Sequence, residues 1–174
     1  MEQKYNIFDP NKDTLNFTFE YNNEETGDLH KIINGKSDLN IDDFRKISLW
    51  KLDRVLRLSN NTIEKLNIIS IKKDLSIDDG LVKEVIKELV DSDGVGYPMA
   101  SAFLKFIRPD IFPIIDVRAY RALRGIKIYY SMYNYELYIN YTKDLMNIAN
   151  KTNRQLSEVD EQLYCYDKIY NQQI

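Results

Sequence analysis

The chain has 174 residues, of which 44% are hydrophobic and 29% charged, and its formal net charge is −3. This length fits one globular domain or two small lobes, and the hydrophobic content excludes a disordered chain. No apolar run approaches the roughly 20 residues that a bilayer-spanning helix needs, so no membrane partner is expected. One cysteine and one histidine cannot supply a structural zinc site, and no metal or other cofactor is expected. The negative net charge argues against nucleic acid as a partner, because duplex binding depends on neutralising phosphates.

The first 35 residues differ in pattern from the rest. Leu15, Phe17, Phe19 and Tyr21 alternate with polar residues, which predicts a half-buried strand that the segment 5–8 could pair with. The N-terminus lacks the apolar stretch of a signal peptide, so we expect a cytoplasmic protein.

From about Asn40 the apolar spacing becomes helical. The pattern predicts a first helix that runs to a break at 58–61 and a second after Asn61, followed by a third over Asp79–Asp91. Each has apolar positions on one face: Phe44, Ile47, Leu52, Val55 and Leu56 in the first, Ile63, Leu66 and Ile69 in the second, and Val82, Val85, Ile86 and Leu89 in the third.

A tight helical hairpin is predicted next. The turn at 94–96 ends one helix, Pro98 suits the first turn of another, and Pro109 ends that second helix. Asp116 then has the position and chemistry of an N-cap for a helix that closes at Gly125.

Two more helices are predicted in the C-terminal part of the chain. Asn134 can cap one that runs to about Asn150, and Ser157 resembles the start of a capping box that opens the other.

The hairpin segment Gly-Val-Gly-Tyr-Pro-Met-Ala-Ser-Ala at 94–102, followed by Pro-Ile-Ile-Asp-Val-Arg-Ala-Tyr-Arg at 113–121, carries a family resemblance. It resembles the helix-hairpin-helix DNA glycosylase superfamily, which includes endonuclease-III-like, adenine-mismatch and alkylbase glycosylases. In that family a Gly-Val-Gly-type hairpin precedes a helix, and a catalytic aspartate begins the next helix after two apolar residues. The resemblance implies a mainly α-helical, two-lobed fold, to which the alternating pattern adds a short N-terminal β element. The central lobe would span 45–128, and 1–44 together with 129–174 would form the second.

The same resemblance implies a hydrolase of base-excision DNA repair. A damaged or modified base would be flipped into a cleft between the lobes, and Asp116 would stabilise the oxocarbenium-like transition state or orient the attacking water. The DNA phosphate backbone would be bound by Gly94, Val95, Gly96 and Tyr97 in the hairpin, with Arg118 and Arg121 as further contacts. We expect the protein to act as a monomer.

Some residues depart from the family pattern. Pro98 stands at the position of the nucleophilic lysine in lyase-active members, eighteen residues before Asp116, and proline has no amine for a Schiff base. This predicts a monofunctional glycosylase without lyase activity. Asp93 places a negative charge beside the predicted phosphate site, and a single cysteine cannot ligate the iron–sulfur cluster of some relatives.

The charge distribution is uneven along the chain. Between Tyr97 and Tyr130 six basic residues face two acidic ones, a local charge of +4 that leaves −7 for the remainder. This predicts a basic phosphate-binding face on an acidic body. An alternative is that Arg118, Arg121 and Arg124 form an ordinary solvated stripe.

Trp50 and Lys51 admit two interpretations. The indole could stack on a flipped base and the lysine could act as a displaced nucleophile in a base pocket. Core packing for Trp50 and an exposed stem for Lys51 are the simpler interpretation.

Two other functions remain open at the level of sequence. The chain could be a helix-hairpin-helix DNA-binding or protein-interaction module without catalysis, or an enzyme that acts on nucleosides or RNA.

Overall fold

The computed structural model describes residues 23–52 and 56–171, and the regular structure in them is helical. Contacts divide the chain into two units, Met1–Val55 and Leu56–Ile174. The eight α-helices and one 3-10 helix of the described residues are α1 (Asn23–Ile33), α2 (Ile41–Lys51), α3 (Asn60–Ile71), α4 (Gly80–Val90), α5 (Tyr97–Ile107), α6 (Val117–Arg124), the 3-10 helix (Tyr130–Met132), α7 (Tyr135–Thr152) and α8 (Leu156–Tyr170).

The prediction of a mainly helical protein is confirmed. The predicted β element at 5–8 and 15–21 lies outside the described residues. The lobes predicted at 45–128 and from the joined termini stay a prediction. None of the helices in the described part of the chain is both long and apolar enough to cross a membrane.

In the first unit, α1 packs against α2. The helix α1 was not predicted from the sequence. A capping box opens α2, because the Asn40 side chain accepts from the Asp43 amide while the Asp43 carboxylate accepts from the Asn40 amide. Lys36 donates to the same carboxylate at 2.7 Å, so the charge of Asp43, which is almost fully buried, is compensated.

The first predicted helix is shorter than expected. It ends at Lys51 instead of continuing toward the break at 58–61. Phe44 and Leu52, expected on a buried face, expose more than half of their surface. Periodic spacing therefore identified the helix here without identifying what its apolar positions pack against.

The second unit contains the larger core. Ser59 caps α3 and Asp79 caps α4, each with a side-chain oxygen that accepts a first-turn amide. The four apolar positions predicted to point inward from α4 are buried, which confirms that face. The largest fully buried side chains come from several segments: Tyr138, Tyr141, Phe112, Ile69, Ile86, Leu89, Leu104 and Ile115.

The predicted boundaries of α6, α7 and α8 can be compared with the structure. Asp116 and Asn134 are the N-caps of α6 and α7, as predicted, and α6 closes at Gly125 in the left-handed conformation with φ 72°. The expected capping box at Ser157 is wrong, because α8 already begins at Leu156 and its N-cap residue, Gln155, makes no side-chain cap bond. The helix α8 packs against both α6 and α7.

A substitution at Gly125 tests the end of α6. Gly125→Ala should lower the free energy of unfolding by about 1 kcal/mol, because an L side chain is disfavoured at a positive φ. Gly80→Ala is the matched control. Gly80 lies in the first turn of α4, has no positive φ, and has no atom within 4 Å of the position that a Cβ would occupy. Urea unfolding should show that the control is as stable as the parent chain or slightly more stable. Equal losses of unfolding free energy in both variants would contradict the left-handed conformation at Gly125.

Candidate functional site

The predicted hairpin lies between the end of α4 and the start of α5. Gly94 has φ 77°, a left-handed conformation that glycine adopts without strain, and Val95 is buried beneath the turn. Gly96 is the N-cap of α5 in an extended conformation. Within the described residues, no acceptor is bound to the amides of Gly96 and Tyr97, so both remain available to a ligand.

The extended segment 113–115 positions Asp116 at the start of α6. Side chains from α5, α7 and α8 form hydrogen bonds with the backbone of the segment 113–115. From α7, the Tyr138 hydroxyl donates to the Pro113 carbonyl, and the Tyr141 hydroxyl donates to the Ile114 carbonyl. The Ile114 amide donates to Asp160 at 2.8 Å, and the Ile115 amide donates to the Ser101 hydroxyl at 3.1 Å. The Ser101 hydroxyl in turn donates to the Pro98 carbonyl at 2.9 Å. These four backbone groups of the segment are therefore satisfied by side chains instead of by a neighbouring strand.

A buried ion pair supports this segment. Lys105 of α5 donates to both carboxylate oxygens of Asp160, at 2.8 and 2.9 Å, and to Glu161 at 2.8 Å. The side chains of Lys105 and Asp160 are only 8% and 4% exposed. Burial by itself would lower the pKa of Lys105, but the hydrogen bonds to Asp160 and Glu161 outweigh it and raise this pKa. The Lys105 amine is therefore held in its charged form.

Asp116 uses one carboxylate oxygen for capping. Its Oδ1 accepts from the amides of Arg118 and Ala119, at 2.6 and 2.8 Å, while no group in the described part of the chain donates to its Oδ2. The side chain is half-buried. Burial raises the pKa of Asp116, and the negative charges of Asp160 and Asp167 raise it further. The two capping bonds lower this pKa without cancelling the rise. A carboxylate that is fixed by one oxygen and unengaged at the other can act on a ligand.

Tyr133 packs against the hairpin and is within electrostatic range of Asp116. Its ring stacks on that of Tyr97, the first residue of α5, with ring centroids 6.4 Å apart and planes inclined by 9°. Burial raises the pKa of Tyr133 to about 12, and the charge of Asp116 contributes to this rise. The hairpin is thus in ring contact with a tyrosine whose pKa responds to the charge of Asp116.

The basic residues near the motif are engaged by acids from elsewhere in the chain. Arg121 donates to both oxygens of Asp167, at 2.8 and 2.7 Å, and Arg118 reaches the same carboxylate at 3.4 Å. Asp167 is fully buried, and its pKa is lowered chiefly by the hydrogen bond from Arg121. Arg124 pairs with Asp144. The local charge of +4 is therefore largely offset, and the predicted phosphate contacts Arg118 and Arg121 are already ion-paired inside the protein.

Trp50 and Lys51 belong to the first unit. The Trp50 indole donates to the Thr26 hydroxyl at 2.9 Å, and with His30 and Ile47 it lines a mostly apolar cavity of about 230 Å³ between α1 and α2. Lys51 is exposed. Their predicted role as a base pocket stays a prediction.

The residues that hold the site together could not be identified from the sequence. Lys105 lies among apolar residues on α5, which is a weak sign of a buried charge, but nothing in the sequence pairs it with Asp160. Tyr133 and Asp167 carried no signal that separates them from the other tyrosines and acids. Their roles depend on how segments distant in sequence pack together, as α8 does against α6.

Comparison of the chain with protein-family models, curated proteins and solved structures finds no match. In the described residues, no group of three histidine, cysteine or acidic side chains is arranged to hold a metal ion.

Replacing Lys105 tests the buried ion pair. Lys105→Met should lower the free energy of unfolding by about 3–5 kcal/mol, because it leaves the buried Asp160 carboxylate without a compensating charge. Lys151→Met, at an exposed position of α7, should change it by less than about 0.5 kcal/mol. Urea unfolding measures both variants, and similar small losses would show that the pair contributes little.

The opposite pKa shifts of two capping aspartates give a pH test. Asp116 has a raised pKa, so the stability it contributes is fully present below its unfolded pKa and is lost as the pH rises through the folded one. Asparagine caps a helix as well as aspartate does. Asp116→Asn should therefore be as stable as the parent chain or more stable at pH 7, and this advantage should disappear near pH 3.

Asp79→Asn is the control for this test and should behave in the opposite way. The hydrogen bond from Lys72 lowers the pKa of Asp79, so its contribution is present above the unfolded pKa and is lost as the pH falls through the folded one. This variant should lose stability at pH 7 and match the parent chain at low pH. Urea unfolding at both pH values measures the two variants, and a loss of stability in Asp116→Asn at pH 7 would contradict the interpretation of the Asp116 site.

Proposed function

We propose that the chain is a monofunctional DNA N-glycosylase that removes a damaged or modified base, with Asp116 as its catalytic carboxylate. One observation carries the proposal: Asp116 is held at the start of α6 by Oδ1 alone, and Oδ2 is unengaged by the described residues. The order and spacing of the hairpin and the aspartate agree with the resemblance described above.

The chemistry follows from the state of this carboxylate. Cleavage of an N-glycosidic bond develops positive charge on the sugar, and a carboxylate that burial has partly desolvated stabilises that charge more strongly than one in water. Its raised pKa also makes it a better acceptor for the proton of an attacking water. The Oδ2 atom would make this contact, while Oδ1 keeps the side chain in place.

The amines near the site support hydrolysis without backbone cleavage. Pro98 has no amine at the family's lysine position, and the Lys105 amine is buried, charged and hydrogen-bonded to two carboxylates. Only a neutral amine attacks the sugar carbon to form a Schiff base. We therefore expect an intact abasic site as the product.

A second candidate is a helix-hairpin-helix binding module without catalysis. The observation that favours it is the double capping bond of Asp116, which already gives the residue a structural role. The two candidates differ in whether an oligonucleotide is bound only or also loses a base.

The test is base release from oligonucleotides that carry deaminated, alkylated, oxidised or mispaired bases, each supplied as a duplex and as a single strand. On the substrate that is cleaved, Asp116→Asn should lower the single-turnover rate by at least about 100-fold, because the contribution of a positioned acid–base group is of that order. Abasic product is detected by strand cleavage after alkali treatment, and strand cleavage without alkali should be absent.

Asp79→Asn is the matched control, because it changes a capping aspartate on another helix, and it should retain the parent rate. Binding without base release on every substrate would favour the binding module. Base release that Asp116→Asn does not reduce would overturn the role of Asp116.

A further inference from the structure

Two exposed tyrosines lie beside the hairpin. Tyr130 is 84% exposed, and its Cε2 atom lies 3.6 Å from the point that a Cβ on Gly96 would occupy. Tyr129 is 60% exposed, and the Lys127 ammonium lies over its ring, 5.7 Å from the centroid. Lys127, Tyr129 and Tyr130 form what we call the aromatic edge. Large aromatic rings that remain in water are available to stack on a ligand.

The cations around the site are poorly placed for duplex DNA. Lys105, Arg108, Arg118, Arg121 and Arg124 each donate to a carboxylate of the same chain. Tight duplex binding uses several free cations to neutralise phosphates on both strands. A phosphate that approached these residues would have to replace an existing ion pair, so the net electrostatic gain would be small.

Single-stranded DNA requires what this surface offers. Its bases are unpaired and stack on aromatic side chains at about 1–3 kcal/mol per base, with little dependence on sequence. It also avoids the cost of extruding a base from a duplex. The single cation of the aromatic edge, Lys127, would contact a phosphate between stacked bases.

We propose that the aromatic edge binds single-stranded DNA, so that the preferred substrate is an unpaired strand instead of a duplex. This inference rests on the proposed function for its link to base removal. The strand would stack on Tyr129 and Tyr130 and would run past the hairpin toward Asp116.

Fluorescence anisotropy with a labelled 12-nucleotide thymine strand, and with a duplex of the same length, tests the proposal. We expect the single strand to bind at least about ten times more tightly than the duplex. The slope of log affinity against log salt concentration should correspond to neutralisation of about two phosphates or fewer. The double variant Tyr129→Ala/Tyr130→Ala should weaken single-strand binding at least about tenfold. Circular dichroism and the thermal midpoint should stay unchanged, because both rings are largely in solvent.

Tyr170→Ala is the matched control, since Tyr170 is 67% exposed in the last turn of α8 and is not part of the aromatic edge. It should leave binding unchanged. Duplex binding equal to or tighter than single-strand binding, or full binding by the double variant, would overturn the proposal.

The outcome is separable from that of the glycosylase assay. Asp116-dependent base release from duplexes alone would uphold the proposed function and reject this inference. Single-strand binding that depends on the two tyrosines, without base release, would uphold the inference and reject catalysis. Absence of binding to either form of DNA at 20 mM salt would overturn both the proposed function and this inference. That salt concentration is about an order of magnitude below physiological and therefore favours any electrostatic binding.

Discussion

The buried ion pair between Lys105 and Asp160 is the interaction on which the second unit depends. Asp160 accepts from Lys105 and from the Ile114 amide, so one carboxylate compensates a buried charge and also satisfies a buried backbone donor. An extended segment inside a helical core has no neighbouring strand to bond with, and its polar groups would otherwise be unsatisfied. The pair therefore joins α5 and α8 and allows the segment 113–115 to run through the core between them.

Asp116 combines two effects of opposite sign. Capping α6 favours its ionised form, whereas burial and two neighbouring carboxylates disfavour that form, and the second group of effects prevails. Ionisable groups whose surroundings oppose their charge are concentrated at functional sites, which is why this carboxylate, and not the better compensated Asp160, is the candidate for chemistry.

The arginine residues of α6 show how folding changes the meaning of a charge pattern. Arg118, Arg121 and Arg124 repeat every three residues and therefore lie on one side of the helix. That side faces acids contributed by α7 and α8, so the positive charge is used within the protein. The exposed rings of Tyr129 and Tyr130, with Lys127 beside them, are the surface on which the proposed stacking of a strand rests.

The sequence by itself determined the local features of this protein. The inward face of α4, the glycine turn, and the capping residues Asp116 and Asn134 were identified correctly, because each depends on side chains within a few residues along the chain. Only the tertiary structure decided which charges are compensated and which surfaces stay open. Lys105 meets Asp160 across 55 positions of the chain, and Arg121 meets Asp167 across 46. Such pairings depend on the packing of α8 against α5 and α6, and no local pattern contains that information.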